Sequence, residues 1–153
     1  MSEHLATVEW SRHGQAFSDN KYDRAHEWRF DGGAVVRGSP APSSVPAPMS
    51  DPAAVDPEEA LVAAVSSCHM LFFLAYAARG GFVVDRYRDD AVGLLGRDDR
   101  GRMSITAVTL RPEATFSGET RPDAAALDDL HHRAHEACYI ANSIRTPITI
   151  EPR

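Results

Sequence analysis

One stretch of the chain decides the fold: residues 56–79, DPEEALVAAVSSCHMLFFLAYAAR. Asp56 suits an N-cap, because its carboxylate can accept a hydrogen bond from a free backbone N–H of the first turn. Pro57 suits the first helical position, and Glu58 and Glu59 favour the positive end of the helix dipole. Two glycines follow the stretch and stop the helix. The sequence therefore predicts one long helix that begins at Pro57.

The predicted helix is apolar on nearly every face, with no charged residue between Ala60 and Ala78. That length is enough to span a membrane. However, the polar run at residues 66–69 lies at its centre, where hydrocarbon would penalise it, and no Lys or Arg anchor precedes it. We therefore predict a helix buried in protein. One small sheet covers about one face of such a helix, so the rest is predicted to bury against a second copy, as an obligate homodimer.

The residues before this helix have a β pattern. Residues 5–12 and 22–30 alternate in polarity, and Asp31-Gly32-Gly33 predicts a turn before a short strand at 34–37. Together these segments predict an opening β-meander. The next stretch, residues 38–57, contains six prolines and is predicted to be a loop of extended character.

The residues after the helix add strands and a second helix. Two β-rich stretches, 82–96 and 103–116, are joined by a predicted hairpin loop. Asp123 is predicted to cap a helix that runs to about Tyr139, and residues 147–151 form a short last strand. The predicted order is βββ-α-ββ-α-β, an α+β fold.

Composition limits the possible functions. The 153 residues, of which 43% are hydrophobic, predict a single domain over residues 1–153 with a real core. A net charge of −6 disfavours nucleic acid, whose phosphates would repel the protein. The two cysteines are too few for a disulfide scaffold. Since the N-terminus lacks a basic start followed by an apolar run, we expect a cytoplasmic protein.

Each cysteine allows two interpretations. Cys68 is either a small buried hydrophobe or a nucleophile whose thiolate attacks an O–O bond and becomes a sulfenic acid. Cys138 is either packed in the same inert way or is a resolving thiol that condenses with that sulfenic acid. Both lie in helical segments among small residues, and their spacing alone does not show that they meet.

Three charged residues are candidates to assist a thiol. Glu58 precedes Cys68 by ten residues, about 15 Å along a straight helix. It either serves only the helix dipole or acts on Cys68 through a broken helix or from a partner chain. Arg24 and Arg29 are either surface residues or supply the cation that a peroxidase thiol needs to lower its pKa.

A metal site is a further alternative. His131, His135 and Cys138 recur at i, i+4 and i+7 on one helix face, and His69 or Cys68 could complete a set of four ligands. The same spacing also describes a polar, half-exposed stripe. The pattern lacks the specificity of CxxC or HExxH motifs.

Two segments carry a family resemblance. Residues 56–68, DPEEALVAAVSSC, resemble the central helix of the OsmC/Ohr family, the osmotically inducible and organic hydroperoxide resistance proteins. Residues 130–142, which include Ala-His-Glu-Ala-Cys at 134–138, resemble the second cysteine region of that family. The predicted order of elements agrees over nearly the whole chain.

The resemblance implies an OsmC-like α+β fold, an intertwined homodimer with long central helices and two active sites at the subunit interface. It implies a peroxidase with Cys68 as the peroxidatic thiol and Cys138 as the resolving thiol, joined in a disulfide during turnover. Glu58 and Arg24, with Arg29 as second choice, are the implied polar partners. The implied substrates are organic or fatty-acid hydroperoxides, the implied reductant is a dithiol such as a lipoylated protein, and neither metal nor nucleotide cofactor is expected. A metal-binding or non-catalytic small-molecule-binding protein on the same scaffold is the alternative.

Overall fold

The computed structural model describes residues Met1–Arg153, which form two compact units, Met1–Ala60 and Leu61–Arg153. The first helix begins in the first unit and continues through the second. That the whole chain is one domain stays a prediction.

The first unit contains the predicted meander. Strands β1 (Ala6–Glu9), β2 (His26–Phe30) and β3 (Val35–Gly38) form an antiparallel sheet in that order. The first two strands are shorter than predicted because turns occupy the connection between them. His13 and Asn20 in that connection have left-handed φ values of 48° and 60°, which a strand cannot contain.

The proline-rich loop is anchored by backbone hydrogen bonds. The N–H of Ser39 donates to the carbonyl of Val55 (3.1 Å), and the N–H of Arg24 donates to the carbonyl of Met49 (3.1 Å). The buried hydroxyl of Ser39 accepts the N–H of Asp51 at 2.8 Å. Apart from Gly38, which ends β3, and Pro57, which begins α1, the predicted loop contains no helix or strand, and an isolated bridge between Gly38 and Val55 helps to fix its path.

Helix α1 spans Pro57–Arg79, as the capping pattern predicts. The N–H of Glu59 donates to Oδ1 of Asp56 (2.7 Å), and the N–H of Asp56 donates to Oε2 of Glu59 (3.2 Å). This reciprocal pair is a capping box, which satisfies two free donors at the start of the helix. Gly81, with a φ of 76°, takes the left-handed conformation that ends it.

The second unit contains four strands between its helices. Its elements are β4 (Val83–Asp89), β5 (Val92–Arg97), β6 (Met103–Leu110), β7 (Pro112–Ser117), α2 (Ala124–Ala137), a single 3₁₀ turn (Ala141–Ser143) and β8 (Ile148–Ile150). β4 pairs with β7, and β5 pairs with β6, which also pairs in parallel with β8.

Each predicted β-rich stretch is thus divided into two strands. The two division points meet, because Oδ1 of Asp89 accepts the N–H of Arg111 at 2.6 Å. Pro112, which has no N–H to donate, begins the next strand. The α+β class is as predicted.

Helix α2 begins as predicted and ends earlier. Oδ1 of Asp123 accepts the N–H of Ala126 at 2.8 Å, an N-cap bond. The helix stops at Ala137, and Cys138 is its C-cap in an extended conformation.

The core leaves one face of α1 uncovered. The buried residues of α1 recur every four positions at Val65, His69, Phe73 and Ala77, one stripe of the helix. Leu71, on another face, is 61% exposed. By length and composition α1 could cross a membrane. Within this chain, 22% of its most apolar stretch is buried. A single chain therefore buries one face of the helix, as predicted, and leaves the other faces exposed.

Candidate active site

The two cysteines lie on the two helices of the second unit, in different environments. Cys68 lies in the middle of α1, beside the buried stripe, and its side chain is partly exposed. Cys138, which caps α2, is 1% exposed. The backbone N–H of Ala141 donates to its Sγ at 3.4 Å. One thiol is partly exposed to solvent, whereas the other is enclosed.

The structure brings these two thiols together. Burial, and second a hydrogen bond with the Cys68 side chain, raise the pKa of Cys138 to about 11. Both cysteines are free thiols. The pair named from the sequence is therefore a spatial pair, with the exposed member on α1 and the enclosed member at the end of α2.

Two buried histidines lie next to this pair. Nε2 of His69 and Nδ1 of His131 are 3.1 Å apart, and their rings are nearly parallel, with an angle of 7°. His69 is 1% exposed and His131 is 5% exposed. Burial lowers the pKa of each to about 4, so both imidazoles are neutral near pH 7.

A largely apolar cavity of about 470 Å³ lies within the first unit. Three aromatic rings pack at its wall, with Phe17 and Tyr22 stacked at 4.6 Å between centroids and Trp10 at 5.4 Å from Tyr22. The full lining is Val8, Trp10, Phe17, Tyr22, Arg24, His26, Pro40, Ala41, Ser44, Pro57 and Glu58. The cavity thus combines aromatic walls with one cation and one carboxylate.

Arg24 and Glu58, both singled out from the sequence, line that same cavity. The guanidinium of Arg24 donates to the carbonyl of Tyr22 (2.8 Å) and to Oδ1 of Asn20 (2.7 Å). It also lies 4.2 Å from the centroid of the Tyr22 ring, a cation–π contact. No ion pair joins it to Glu58. Asn20 and Tyr22, and not Glu58, therefore orient this arginine in the single chain.

Arg29 lies elsewhere. Its guanidinium pairs with Glu27 and, at 3.8 Å, with Glu9, and its side chain is 50% exposed. It does not line the cavity. The geometry favours Arg24 over Arg29 as the site arginine.

The metal-ligand alternative finds no support in the arrangement. No three His, Cys, Asp or Glu side chains converge to hold an ion. His131 and Cys138 are buried, whereas His135 is only partly buried, so the stripe is the inner face of α2 and not the half-exposed surface considered above.

Two features of the site were not predicted from the sequence. The direct contact between His69 and His131 joins positions 62 residues apart, and the two residues were named together only as candidate metal ligands. The aromatic wall combines Trp10 and Tyr22, which lie in the segments predicted as strands, with Phe17 from the connection between those segments. No local pattern brings these three rings to one cavity.

A family model described as OsmC-like protein matches residues 50–153. No curated protein matches the chain. Among solved structures, an OsmC-like protein of unknown function from Vibrio cholerae is 51% identical, covers 100% of both chains and has a TM-score of 0.98.

Two more distant structures share the fold. The organic hydroperoxide resistance protein OhrB of Bacillus subtilis is 18% identical, with 99% of this chain and 98% of that chain covered and a TM-score of 0.71. An organic hydroperoxide resistance protein OsmC from Legionella pneumophila is 14% identical, with 99% and 96% covered and a TM-score of 0.69. Since the family model matches more than half of the chain, this protein belongs to the OsmC-like family.

Proposed function

We propose that this protein is a thiol-dependent peroxidase that reduces organic hydroperoxides, including those of fatty acids. The observation that carries the proposal is the contact between Cys68 and Cys138, one thiol partly exposed and the other enclosed. An exposed thiol can meet a peroxide, and an enclosed thiol beside it can intercept the product. That two similar structures are hydroperoxide resistance proteins supports the same reaction class.

In the first step the Cys68 thiolate attacks one oxygen of the hydroperoxide. The S–O bond forms as the O–O bond breaks, and the leaving alkoxide takes up a proton to become an alcohol. Cys68 is thereby oxidised to a sulfenic acid. Because Cys68 is partly exposed, the hydroperoxide reaches it without unfolding of the helix.

In the second step Cys138 attacks the sulfenic sulfur. The S–S bond forms, and the hydroxyl leaves with the Cys138 proton as water. An external dithiol then reduces the disulfide through a mixed disulfide and itself becomes a cyclic disulfide. The raised pKa of Cys138 favours its thiol form until the sulfenic acid is present.

Arg24 and Glu58 complete the proposed site from a second copy of the chain. Helix α1 is continuous from Pro57 to Arg79, so ten residues, about 15 Å of rise, separate Glu58 from Cys68 within one helix. We therefore place the Arg24 and Glu58 that act on Cys68 in the partner of a homodimer. The uncovered apolar face of α1 supports that assembly. There Arg24 stabilises the thiolate and orients the peroxide.

A non-catalytic binding protein is the second candidate, favoured by the aromatic cavity of about 470 Å³. Its volume lies within the usual range for small-molecule sites. In that case both cysteines would be only packed, and peroxide would cause no loss of free thiols.

Peroxide consumption with a dithiol reductant tests the proposal. Cys68→Ser should abolish turnover of cumene hydroperoxide, whereas Cys138→Ser should stop after one equivalent because the sulfenic acid is not resolved. Ser104→Ala, on β6 and outside both helices, is the matched control and should keep turnover. Full turnover by Cys68→Ser would refute the mechanism.

A further inference from the structure

The buried His69–His131 contact joins the two helices that carry the cysteines. The 3.1 Å separation and the parallel rings define a direct hydrogen bond and not a chance approach. The other face of the pair is also fixed, because the ring of Phe73 stacks on His131 at 4.5 Å between centroids. Both histidines are buried among the residues that pack α1 against α2.

The burial of one ring nitrogen assigns the direction of this hydrogen bond. Nδ1 of His69 is buried and has no partner. A proton there would be a buried donor without an acceptor, which proteins avoid. The proton of His69 is therefore on Nε2, from which it is donated to Nδ1 of His131. Each imidazole stays neutral because burial lowers its pKa.

The contact is placed to control the distance between the thiols. His69 directly follows Cys68 on α1, and His131 lies two helical turns before Cys138, on the same side of α2. Disulfide formation requires Cβ atoms about 3.5–4.5 Å apart and a narrow range of torsion angles. A small slide of α1 along α2 would therefore stop the sulfurs from bonding.

We propose that the His69–His131 hydrogen bond is a positioning contact that holds Cys68 and Cys138 in register for disulfide formation. The role in the resolving step rests on the proposed peroxidase function. The contact accelerates that step and leaves the reaction of Cys68 with peroxide unchanged. The proposed first step needs the Cys68 thiolate, its access to solvent and Arg24 of the partner subunit, and the position of Cys138 does not enter it.

Two substitutions of His131 separate hydrogen bonding from packing. His131→Asn keeps an acceptor, since Oδ1 of Asn lies close to the position of Nδ1 of His. His131→Leu keeps apolar volume and removes the acceptor, which leaves the Nε2–H of His69 buried and unpaired. Leu130→Ala, at a neighbouring buried position of α2, loosens the packing without touching the hydrogen bond.

Single-turnover kinetics with cumene hydroperoxide supply the first measurement, with sulfenic acid formation and disulfide closure followed separately. In His131→Leu we expect closure to slow at least about tenfold, because the sulfurs are no longer held in position to react. Sulfenic acid formation should stay at the wild-type rate, and His131→Asn should recover most of the closure rate. Wild-type closure in His131→Leu, or equal slowing of both steps as in a merely loosened core, would overturn the proposal.

Equilibration with reduced and oxidised glutathione supplies a second measurement that needs no peroxidase activity. The protein dithiol and oxidised glutathione exchange to the protein disulfide and two reduced glutathiones. The equilibrium constant should fall at least about tenfold in His131→Leu, because the two thiols are less well positioned to pair, and much less in Leu130→Ala. If wild type forms the disulfide here but consumes no peroxide, the proposed function fails while the positioning inference stands. An unchanged constant in His131→Leu refutes the inference.

Should His131→Leu not fold, two variants of His69 give the same comparison. The amide nitrogen of Gln reaches the position of Nε2, whereas that of Asn is one bond too short. We expect His69→Gln to keep disulfide closure and His69→Asn to lose it. Equal closure rates in these two variants would contradict the positioning role.

Discussion

The two helices differ in how completely the chain itself covers them. Helix α2 buries Leu130, His131 and Ala134 and presents charged residues to solvent, including an Asp129–Arg133 ion pair. Helix α1 buries one stripe and leaves an apolar residue, Leu71, 61% exposed. A helix with one polar face can expose that face to water and bury the other within its own chain. A helix that is apolar on every face needs protein on all sides, which this single chain does not supply for α1.

The cysteines follow the same difference. Cys138 caps α2, the helix whose apolar face is buried within the chain, and its side chain is enclosed. Cys68 lies on α1, the helix with the uncovered apolar face, and its side chain is partly exposed. The two thiols therefore have different chemistry although both are cysteines at helical sites. The solvent exposure of each sulfur distinguishes the two roles.

The largest expected effect is a loss of folding stability on changing a residue of the buried face of α1. Phe73→Ala removes a fully buried ring and should lower the free energy of unfolding by about 3–5 kcal/mol, measured by denaturant unfolding. Tyr139→Ala, at a ring that is 72% exposed just beyond α2, is the matched control and should cost less than about 1 kcal/mol. Equal losses would contradict the assigned burial.

A charged substitution on the exposed apolar face of α1 tests whether that face forms the proposed homodimer interface. Leu71→Asp should weaken the proposed homodimer by at least about 100-fold, because it buries an unpaired carboxylate in the interface. Sedimentation velocity over a concentration series measures the change. Ala125→Asp, on the exposed side of α2, should leave association unchanged. A wild-type chain that sediments as a stable folded monomer at micromolar concentration would disprove the dimer.

The histidine pair between the helices predicts a pH dependence of stability. The folded pKa values of His69 and His131 are lowered from 6.5 to about 4, chiefly by burial. His131 and His135 add to the shift of His69, and Asp128 and Asp89 oppose the shift of His131. The unfolded chain therefore takes up protons first as the pH falls. Stability is complete above about pH 6.5 and declines toward pH 4, by at most about 1.4 kcal/mol per histidine and pH unit.

Unfolding midpoints between pH 4 and pH 7 measure this slope. The slope should be smaller in His131→Leu, which has one histidine fewer to titrate. An identical pH dependence in wild type and variant would show that the pair does not control acid stability.

The smallest expected losses of stability come from substitutions of the N-cap residues of the two helices. Asp56→Ala and Asp123→Ala each remove one N-cap bond and should cost about 0.5–2 kcal/mol. Asp56→Ala leaves the other half of the capping box in place, because Oε2 of Glu59 accepts from the backbone N–H of residue 56. The double variant Asp56→Ala/Glu59→Ala removes both bonds and should cost more than Asp56→Ala alone. Thermal unfolding of these variants gives the comparison, and equal losses for the single and the double variant would argue against the reciprocal contact.

Local signals were enough to predict the helices. The Asp56-Pro57 start and the glycine pair after residue 79 gave both ends of α1, and Asp123 gave the start of α2. Because a helix cap depends on a few adjacent residues, it can be predicted from the sequence alone. The family resemblance added the pairing of Cys68 with Cys138.

Contacts between distant residues set the features that were not predicted. The division of each β-rich stretch depends on the Asp89–Arg111 hydrogen bond. The His69–His131 contact joins positions 62 residues apart. Such contacts follow from tertiary packing, which overrides local propensity.

Intact-mass analysis after one equivalent of cumene hydroperoxide shows whether the two thiols of one chain react together. We expect the reduced wild-type chain to lose both free thiols, with Cys68 and Cys138 joined in one intramolecular disulfide. In Cys138→Ser we expect a sulfenic acid on Cys68 that dimedone traps. A wild-type chain that keeps both thiols free after this treatment would rule out the proposed peroxidase mechanism.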